Sequence, residues 1–171
     1  MELKELTEKT MKLFVADDPK MLAEKIFNVV RNNNVDVYER FCNLVQDLSI
    51  DWMQMIYQYY CADRKEKKQD YTPKSLAELM GKLTGEAAVI TDLCAGSGAL
   101  TIQKWNKNHD QKFELYEFDE NVIPFLLFNM AVRNIESTIY YSDVLQQEVY
   151  HTYKIHKGDQ FGKFMEVEKN E

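Results

Sequence analysis

Cysteines are few in this sequence, and their spacing excludes two kinds of small scaffold. The 171 residues contain three cysteines, Cys42, Cys61 and Cys94, and no Cys-x-x-Cys pair. An odd, scattered set of thiols argues against a disulfide framework and against a cysteine-rich zinc site. His151 and His156 stand in an extended run and are poor candidates for metal ligands. We therefore expect no metal, and a domain stabilised by its hydrophobic core, for which this length suffices.

Long apolar runs and an excess of positive charge are also lacking. No segment approaches the roughly 20 apolar residues that a membrane-spanning helix needs, and the first residues are charged rather than signal-like. The sequence thus predicts a cytoplasmic protein without a membrane partner. Its formal net charge is -7, whereas binding to a nucleic-acid backbone depends on clustered Lys and Arg. If the chain acts on DNA, we expect a second chain to supply much of the contact.

The first third of the sequence has the pattern of amphipathic helices. Between Leu3 and Cys61 there is no glycine and one proline, and apolar residues recur three and four apart. Asp17-Asp18-Pro19 is typical of a helix start, and Asn32-Asn33-Asn34 predicts a helix break. We expect three or four helices, followed by a solvated charged boundary at 64–68, so that residues 1–66 form an N-terminal helical region.

Residues 67–171 are expected to form an α/β domain. Short runs of β-branched and aromatic residues at 88–91, 113–116 and 137–141 alternate with helical segments at 75–83, 99–108 and 120–133. This alternation predicts βαβ units, and hence a mainly parallel sheet flanked by helices. Two extended runs around Lys157-Gly158-Asp159 predict a hairpin.

The segment 89–100 predicts a nucleotide-type site. An apolar strand ends in Asp92, and the turn Cys94-Ala95-Gly96-Ser97-Gly98 leads into a helix. Glycine permits backbone angles closed to other residues and lets a ligand approach the main chain, while the start of the helix offers free N–H groups. Such ligands bind at the carboxyl ends of sheet strands. The alternative is an ordinary tight connection between a strand and a helix.

Acidic residues follow the next two predicted strands. Glu117 ends the second strand, where a carboxylate can accept hydrogen bonds from both hydroxyl groups of a ribose. Asp143 ends the third strand and can accept a hydrogen bond from an adenine amino group. Upstream, Thr72 is the predicted N-cap of a helix that has Pro73 in its first turn. Taken singly, each acid is also compatible with a solvated strand end.

In this order the segments resemble the N6-adenine DNA methyltransferase family, in particular the modification subunits of type I restriction-modification systems. That family has a helical region, a Phe/Tyr-Thr-Pro motif, Asp-x-x-x-Gly-Ser-Gly, a Glu after the second strand and an Asp after the third. The resemblance covers residues 67–145, including the helical segment 129–135. It implies a class I, Rossmann-like methyltransferase fold that binds S-adenosylmethionine.

The resemblance also implies a set of cofactor-binding residues. In chain order they are Tyr71, Thr72 and Pro73 beside the methionine moiety; Asp92, Ala95, Gly96 and Ser97 along the central turn; Glu117 on the ribose; Phe118 beside the adenine; and Asp143 on the adenine amino group. DNA is the partner that the resemblance implies, with a second protein chain supplying catalysis or target recognition.

The family's catalytic motif, Asn/Asp/Ser-Pro-Pro-Tyr/Phe/Trp, is absent from these residues. Its polar side chain accepts a hydrogen bond from the target amine, and its aromatic ring stacks on a flipped base. The three prolines, Pro19, Pro73 and Pro124, are never adjacent, so no catalytic residue is assigned. Three interpretations stay open: a cofactor-binding partial methylase that acts with a partner chain, an active methyltransferase with a non-standard motif, and a non-enzymatic scaffold or regulatory protein of a restriction-modification system.

Overall fold

The computed structural model describes residues 2–60 and 72–167. The helices of this part are α1 (Leu3–Leu13), α2 (Leu22–Arg31), α3 (Val35–Val45), α4 (Trp52–Tyr60), α5 (Lys74–Leu83), α6 (Ala99–Trp105) and α7 (Ile123–Val132). The strands are β1 (Val89–Asp92), β2 (Lys112–Glu117), β3 (Ser137–Asp143), β4 (Glu148–His156) and β5 (Lys163–Val167). The predicted charged boundary at 64–68 lies outside the described residues, and the division at residue 66 stays a prediction.

The N-terminal helices begin and end at short polar signals in the sequence. Asp18 accepts a hydrogen bond from the N–H of Lys20 at 2.8 Å and precedes the 3₁₀ turn Pro19–Met21. Asn34 accepts one from the N–H of Val37 and caps α3. These side chains satisfy N–H groups that have no partner within the helix. The predicted helix start at Asp18, the break at 32–34 and the number of helices are confirmed.

The described strands form one sheet in the order β1-β2-β3-β4-β5. β1, β2 and β3 are parallel and are connected through α6 and α7, whereas β4 and β5 join as antiparallel neighbours. The predicted βαβ units and the predicted hairpin are both confirmed. The chain therefore has the expected α/β, Rossmann-like fold, with a mixed sheet because the hairpin β4–β5 pairs with β3.

Helix α7 lies at the centre of the hydrophobic core. All of its side chains are buried and all but Asn129 are apolar, and a helix with apolar residues on every face must be enclosed by its neighbours. The Phe128 ring makes edge-to-face contacts with Phe14, Tyr38 and Phe41, at centroid distances of 5.1, 5.5 and 4.9 Å. One core cluster thus joins the N-terminal helices to the sheet. None of the helices in the described ranges has the length and apolar character needed to cross a bilayer.

Tyr38 in this core is a position where we expect a substitution to stabilise the protein. The hydroxyl group of Tyr38 is buried and forms no hydrogen bond within the described part of the chain. Burying such a group without a partner costs about 1–3 kcal/mol. We expect Tyr38→Phe to raise the free energy of unfolding by about 1 kcal/mol, measured by urea denaturation.

Tyr57→Phe is the matched control, because the Tyr57 hydroxyl donates a hydrogen bond to Asp119 Oδ2 at 3.4 Å. Its removal should leave stability unchanged or lower it. A Tyr38→Phe protein that unfolds at lower urea concentration than the wild type would contradict the prediction.

Candidate functional site

The candidate site lies where the three parallel strands end. Parallel pairing puts the carboxyl ends of β1, β2 and β3 at the same edge of the sheet, with Asp92 opposite Leu115 and Glu117 opposite Tyr141. The glycine turn 93–98 follows β1 at this edge. The sheet therefore brings the predicted turn and the first two predicted acids together, as ligand sites at the carboxyl ends of parallel strands require.

The glycine turn is fixed against the end of β2 by main-chain contacts. The N–H of Ala95 donates to the carbonyl oxygen of Tyr116 at 2.9 Å, and the N–H of Gly96 donates to Glu117 Oε2 at 2.8 Å. Gly96 and Gly98 have φ of 57° and 99°, in the left-handed region that favours glycine. The local sequence thus folds this way because its two glycines allow the chain to reverse close to β2.

Glu117 is the last residue of β2, and its side chain binds the glycine turn. Besides Gly96, its carboxylate accepts a hydrogen bond from the N–H of Asp119 at 2.8 Å. Burial raises the pKa of Glu117, while the hydrogen bonds from Asp119 and Gly96 lower it. A carboxylate has about four acceptor positions, so Glu117 keeps capacity for a ribose hydroxyl. The next side chain, Phe118, is 63% exposed and available to contact a planar ligand.

Asp92 and Asp143 occupy similar strand ends but differ in their contacts. Asp92 Oδ1 accepts a hydrogen bond from the N–H of Cys94 at 3.1 Å, and burial raises the pKa of Asp92. Asp143 instead closes the turn between β3 and β4, where its carboxylate accepts from Leu145 N–H, Gln146 N–H and Gln146 Nε2 at 2.9, 3.0 and 3.0 Å. The cofactor roles of both aspartates stay predictions.

The Tyr-Thr-Pro segment is described only in part, because Tyr71 lies outside the described residues. Pro73, rather than Thr72, is the N-cap of α5, so the predicted cap at Thr72 is wrong. Proline at the cap keeps the extended backbone that this position needs, with ψ of 144°, and Thr72 is left one residue before it. Thr72 and Pro73 line a cavity of about 320 Å³, which Ala99 at the start of α6 also borders.

Sequence reasoning missed a buried polar cluster that contacts the turn at Ser97. We call it the Asp51 network, and its members are Asp51, Ser97, Asn129 and Arg133. Ser97 Oγ donates to Asp51 Oδ2 at 2.7 Å. Asn129 Nδ2 donates both to Asp51 Oδ1 at 2.7 Å and to the carbonyl oxygen of Ser97 at 2.8 Å. Ser97, the predicted site residue, is thus held by its side chain and its main chain at once.

Arg133 provides the positive charge of the Asp51 network. Its Nη1 donates to Asn129 Oδ1 at 2.7 Å, and its Nε and Nη2 donate to the carbonyl oxygens of Leu48 and Ile50 at 2.8 Å. Burial lowers the pKa of Arg133 to about 10, so that it remains a cation at neutral pH. Burial raises the pKa of Asp51, while the Ser97 hydroxyl and the Arg133 charge lower it.

A sequence signal for the Asp51 network existed. Asn129 and Arg133 are the polar residues of the otherwise apolar segment 123–133, four apart and hence on one helix face. Polar groups buried in such a helix need hydrogen-bond partners. The signal predicts that partners exist, but it does not say that they are Asp51 and Ser97.

A comparison with protein-family models gives a match that includes the turn, its acids and the residues around them. The model for N-6 DNA methylase matches residues 47–161, more than half of the chain. The matched range includes every described cofactor candidate and the whole Asp51 network. Searches of curated proteins and of solved structures found no match. Together with the Rossmann-like sheet and the glycine turn, the matched range shows that the chain belongs to the N-6 DNA methylase family of DNA methyltransferases.

Proposed function

We propose that this chain is the S-adenosylmethionine-binding part of a cytoplasmic N6-adenine DNA methyltransferase, of the kind found in restriction-modification systems. The observation that carries the proposal is the glycine turn joined to Glu117, in a chain that belongs to this family. The cofactor would supply the methyl group. DNA would be the substrate. A second protein chain would contribute target recognition, because a net charge of -7 does not favour DNA binding, or catalysis, because these residues contain no Pro-Pro motif.

Each end of the cofactor has a matching feature at this site. A ribose would meet the Glu117 carboxylate, and Phe118 would lie against the adenine, with Asp92, Ala95 and Gly96 along the turn. The methionine moiety would lie towards Thr72 and Pro73, which line a cavity that reaches Ala99, the residue after the turn. Asp143 would receive the adenine amino group. Its carboxylate already closes a turn, so this assignment has the least support.

The direct test is calorimetric titration of the whole chain with S-adenosylmethionine. We expect micromolar binding, about -8 kcal/mol, which is lost in Asp92→Ala and in Glu117→Ala. Glu86→Ala is the control, since Glu86 is an exposed carboxylate before β1. Absence of binding by a folded wild-type chain would overturn the proposal in favour of a scaffold or regulatory protein.

The same preparation separates the two enzymatic interpretations. Methyl transfer from labelled cofactor to duplex DNA that contains all four bases is measured with the chain alone. Binding without transfer agrees with a partial methylase that needs a partner chain. Transfer by the isolated chain would instead identify an active methyltransferase with a non-standard motif.

The affinity for S-adenosylmethionine should depend on pH through Glu117. The ionised carboxylate is the better acceptor for ribose hydroxyls, and burial raises its pKa above the ordinary value of 4.5. Binding therefore requires a pH above this raised pKa and weakens as the pH falls through it. We expect a higher dissociation constant at about pH 5 than at about pH 7, measured by the same titration.

Glu117→Gln tests the assignment of this pH dependence. The variant should bind weakly at both values and lose most of the difference between them, because glutamine does not titrate. An unchanged pH dependence in Glu117→Gln would assign it to another group, and equal wild-type affinity at the two pH values would contradict the prediction.

A further inference from the structure

Asp51 and Glu117 contact adjacent residues of the glycine turn. Glu117 holds the turn from the sheet through the N–H of Gly96 at 2.8 Å. Asp51 holds the next residue, Ser97, through its hydroxyl group at 2.7 Å. Asp51 precedes α4 and is 46 residues before Ser97 in the chain, so this second contact comes from the segment between α3 and α4.

Asp51 and Asn129 hold Ser97 at two points, its hydroxyl group and its carbonyl oxygen. Asn129 Nδ2 binds Asp51 Oδ1 and the carbonyl oxygen of Ser97 together, so the carboxylate and the amide act as one unit. With the side-chain oxygen and the carbonyl oxygen both held, the peptide between Ser97 and Gly98 has little freedom to rotate. The N–H of Gly98 belongs to this peptide and donates to the carbonyl oxygen of Ala95 at 2.9 Å, so the same constraint acts on the turn whose Gly96 N–H contacts Glu117.

A purely structural role would not need this chemistry. Burial of ionisable groups such as Asp51 and Arg133 has a large desolvation cost, and well-packed apolar residues often give equal or greater stability. Asp51 is 7% exposed and Ser97 is 2% exposed, so neither is solvated in compensation. The cluster instead supplies directed hydrogen bonds to one particular residue of the turn.

We propose that Asp51 is a positioning residue for the cofactor turn, acting through Ser97 to hold the Ser97–Gly98 peptide, and with it the turn, in the geometry that receives S-adenosylmethionine. The choice of ligand rests on the function proposed above, whereas the coupling between Asp51 and the turn does not. By this proposal the segment between α3 and α4 helps to shape the cofactor site.

Two variants loosen the contact in different ways. Ser97→Ala removes the hydroxyl group alone and leaves the pairing of Asp51 with Asn129. Asp51→Asn replaces the carboxyl group with an amide but keeps the cap of α4, where Asp51 Oδ1 accepts from the N–H of Gln54 at 2.9 Å, since Asn and Asp are equally good N-caps. Asn34→Ala is the matched control, because it removes the N-cap of α3 and lies outside the Asp51 network.

The first measurement is amide hydrogen exchange without cofactor, followed at Ala95, Gly96 and Gly98. We expect exchange at Gly98 to be at least tenfold faster in Ser97→Ala and Asp51→Asn than in the wild type, at a temperature where circular dichroism shows all variants folded. Asn34→Ala should leave it unchanged. Exchange at the turn that matches this control in both variants would overturn the proposal, whether or not the chain binds the cofactor.

The second measurement is calorimetric titration with S-adenosylmethionine under the same conditions. We expect the dissociation constant to rise at least tenfold in Ser97→Ala and in Asp51→Asn, and to stay at the wild-type value in Asn34→Ala. A loosened turn with unchanged affinity would also overturn the proposal. If the wild type itself does not bind, the proposed function fails, and the exchange measurement alone decides whether Asp51 positions the turn.

Discussion

Replacing Arg133 with Met should destabilise the protein by about 3–5 kcal/mol, because several buried acceptors lose their donor and each such loss costs about 1–3 kcal/mol. The substitution removes the positive charge that lowers the pKa of the buried Asp51. It also removes the donors that bind the carbonyl oxygens of Leu48 and Ile50 and the Oδ1 atom of Asn129. Buried polar groups without partners are costly. Urea unfolding at neutral pH, where Arg133 is charged, measures the loss.

Two further variants show whether this loss comes from the buried Arg133. Arg40→Met is the matched control, because Arg40 makes an exposed contact of 3.4 Å with Asp36 in the same helix, and such pairs contribute at most about 0.5 kcal/mol. Asp51→Asn combined with Arg133→Met should cost less than the sum of the single changes, since both changes disturb one hydrogen-bond network through Asn129. A loss below about 1 kcal/mol for Arg133→Met would contradict a stabilising role for its buried hydrogen bonds.

Local pattern sufficed to predict most elements of this fold. The predicted strand at 113–116 became β2 (Lys112–Glu117), and the predicted helix at 75–83 became α5 (Lys74–Leu83). Differences of one or two residues arise because helix and strand ends fray. The acids Asp92 and Glu117 were placed correctly at one sheet edge, because parallel strands bring their carboxyl ends together. What was predicted from the sequence therefore depended on periodicity and on the ends of elements.

Interactions between distant residues could not be predicted in this way. Nothing in the residues around Asp51 indicates that it contacts Ser97, and the Asn129 and Arg133 signal does not name its partners. The same limit applies to the N-cap of α5. Thr72 and Pro73 are both acceptable at a helix start, and the structure has Pro73 as the N-cap. Such choices depend on tertiary packing, which a single sequence does not display.

Gly98→Ala is expected to destabilise the chain by about 2–4 kcal/mol and to abolish cofactor binding. Gly98 has φ of 99°, where an L side chain is strained. A Cβ atom there would lie 2.9 Å from Met130 Cε and 3.1 Å from Leu126 Cδ1. Met130 can shift its flexible end, so part of the clash can relax, but Leu126 belongs to the fully buried α7. Thermal unfolding and calorimetric titration measure the two effects.

Gly85→Ala and Gly96→Ala separate backbone strain from crowding. Gly85 has neither a positive φ nor any neighbour within 4 Å of an added Cβ, so its replacement should leave stability unchanged or raise it by about 0.5 kcal/mol. Gly96 has φ of 57° and equally open surroundings, so only strain of about 1 kcal/mol is expected. We thus expect the loss of stability to be largest for Gly98→Ala, smaller for Gly96→Ala and absent for Gly85→Ala. If Gly96→Ala were as destabilising as Gly98→Ala, crowding against α7 would not be what fixes the turn, and its glycines would be required for their backbone angles alone.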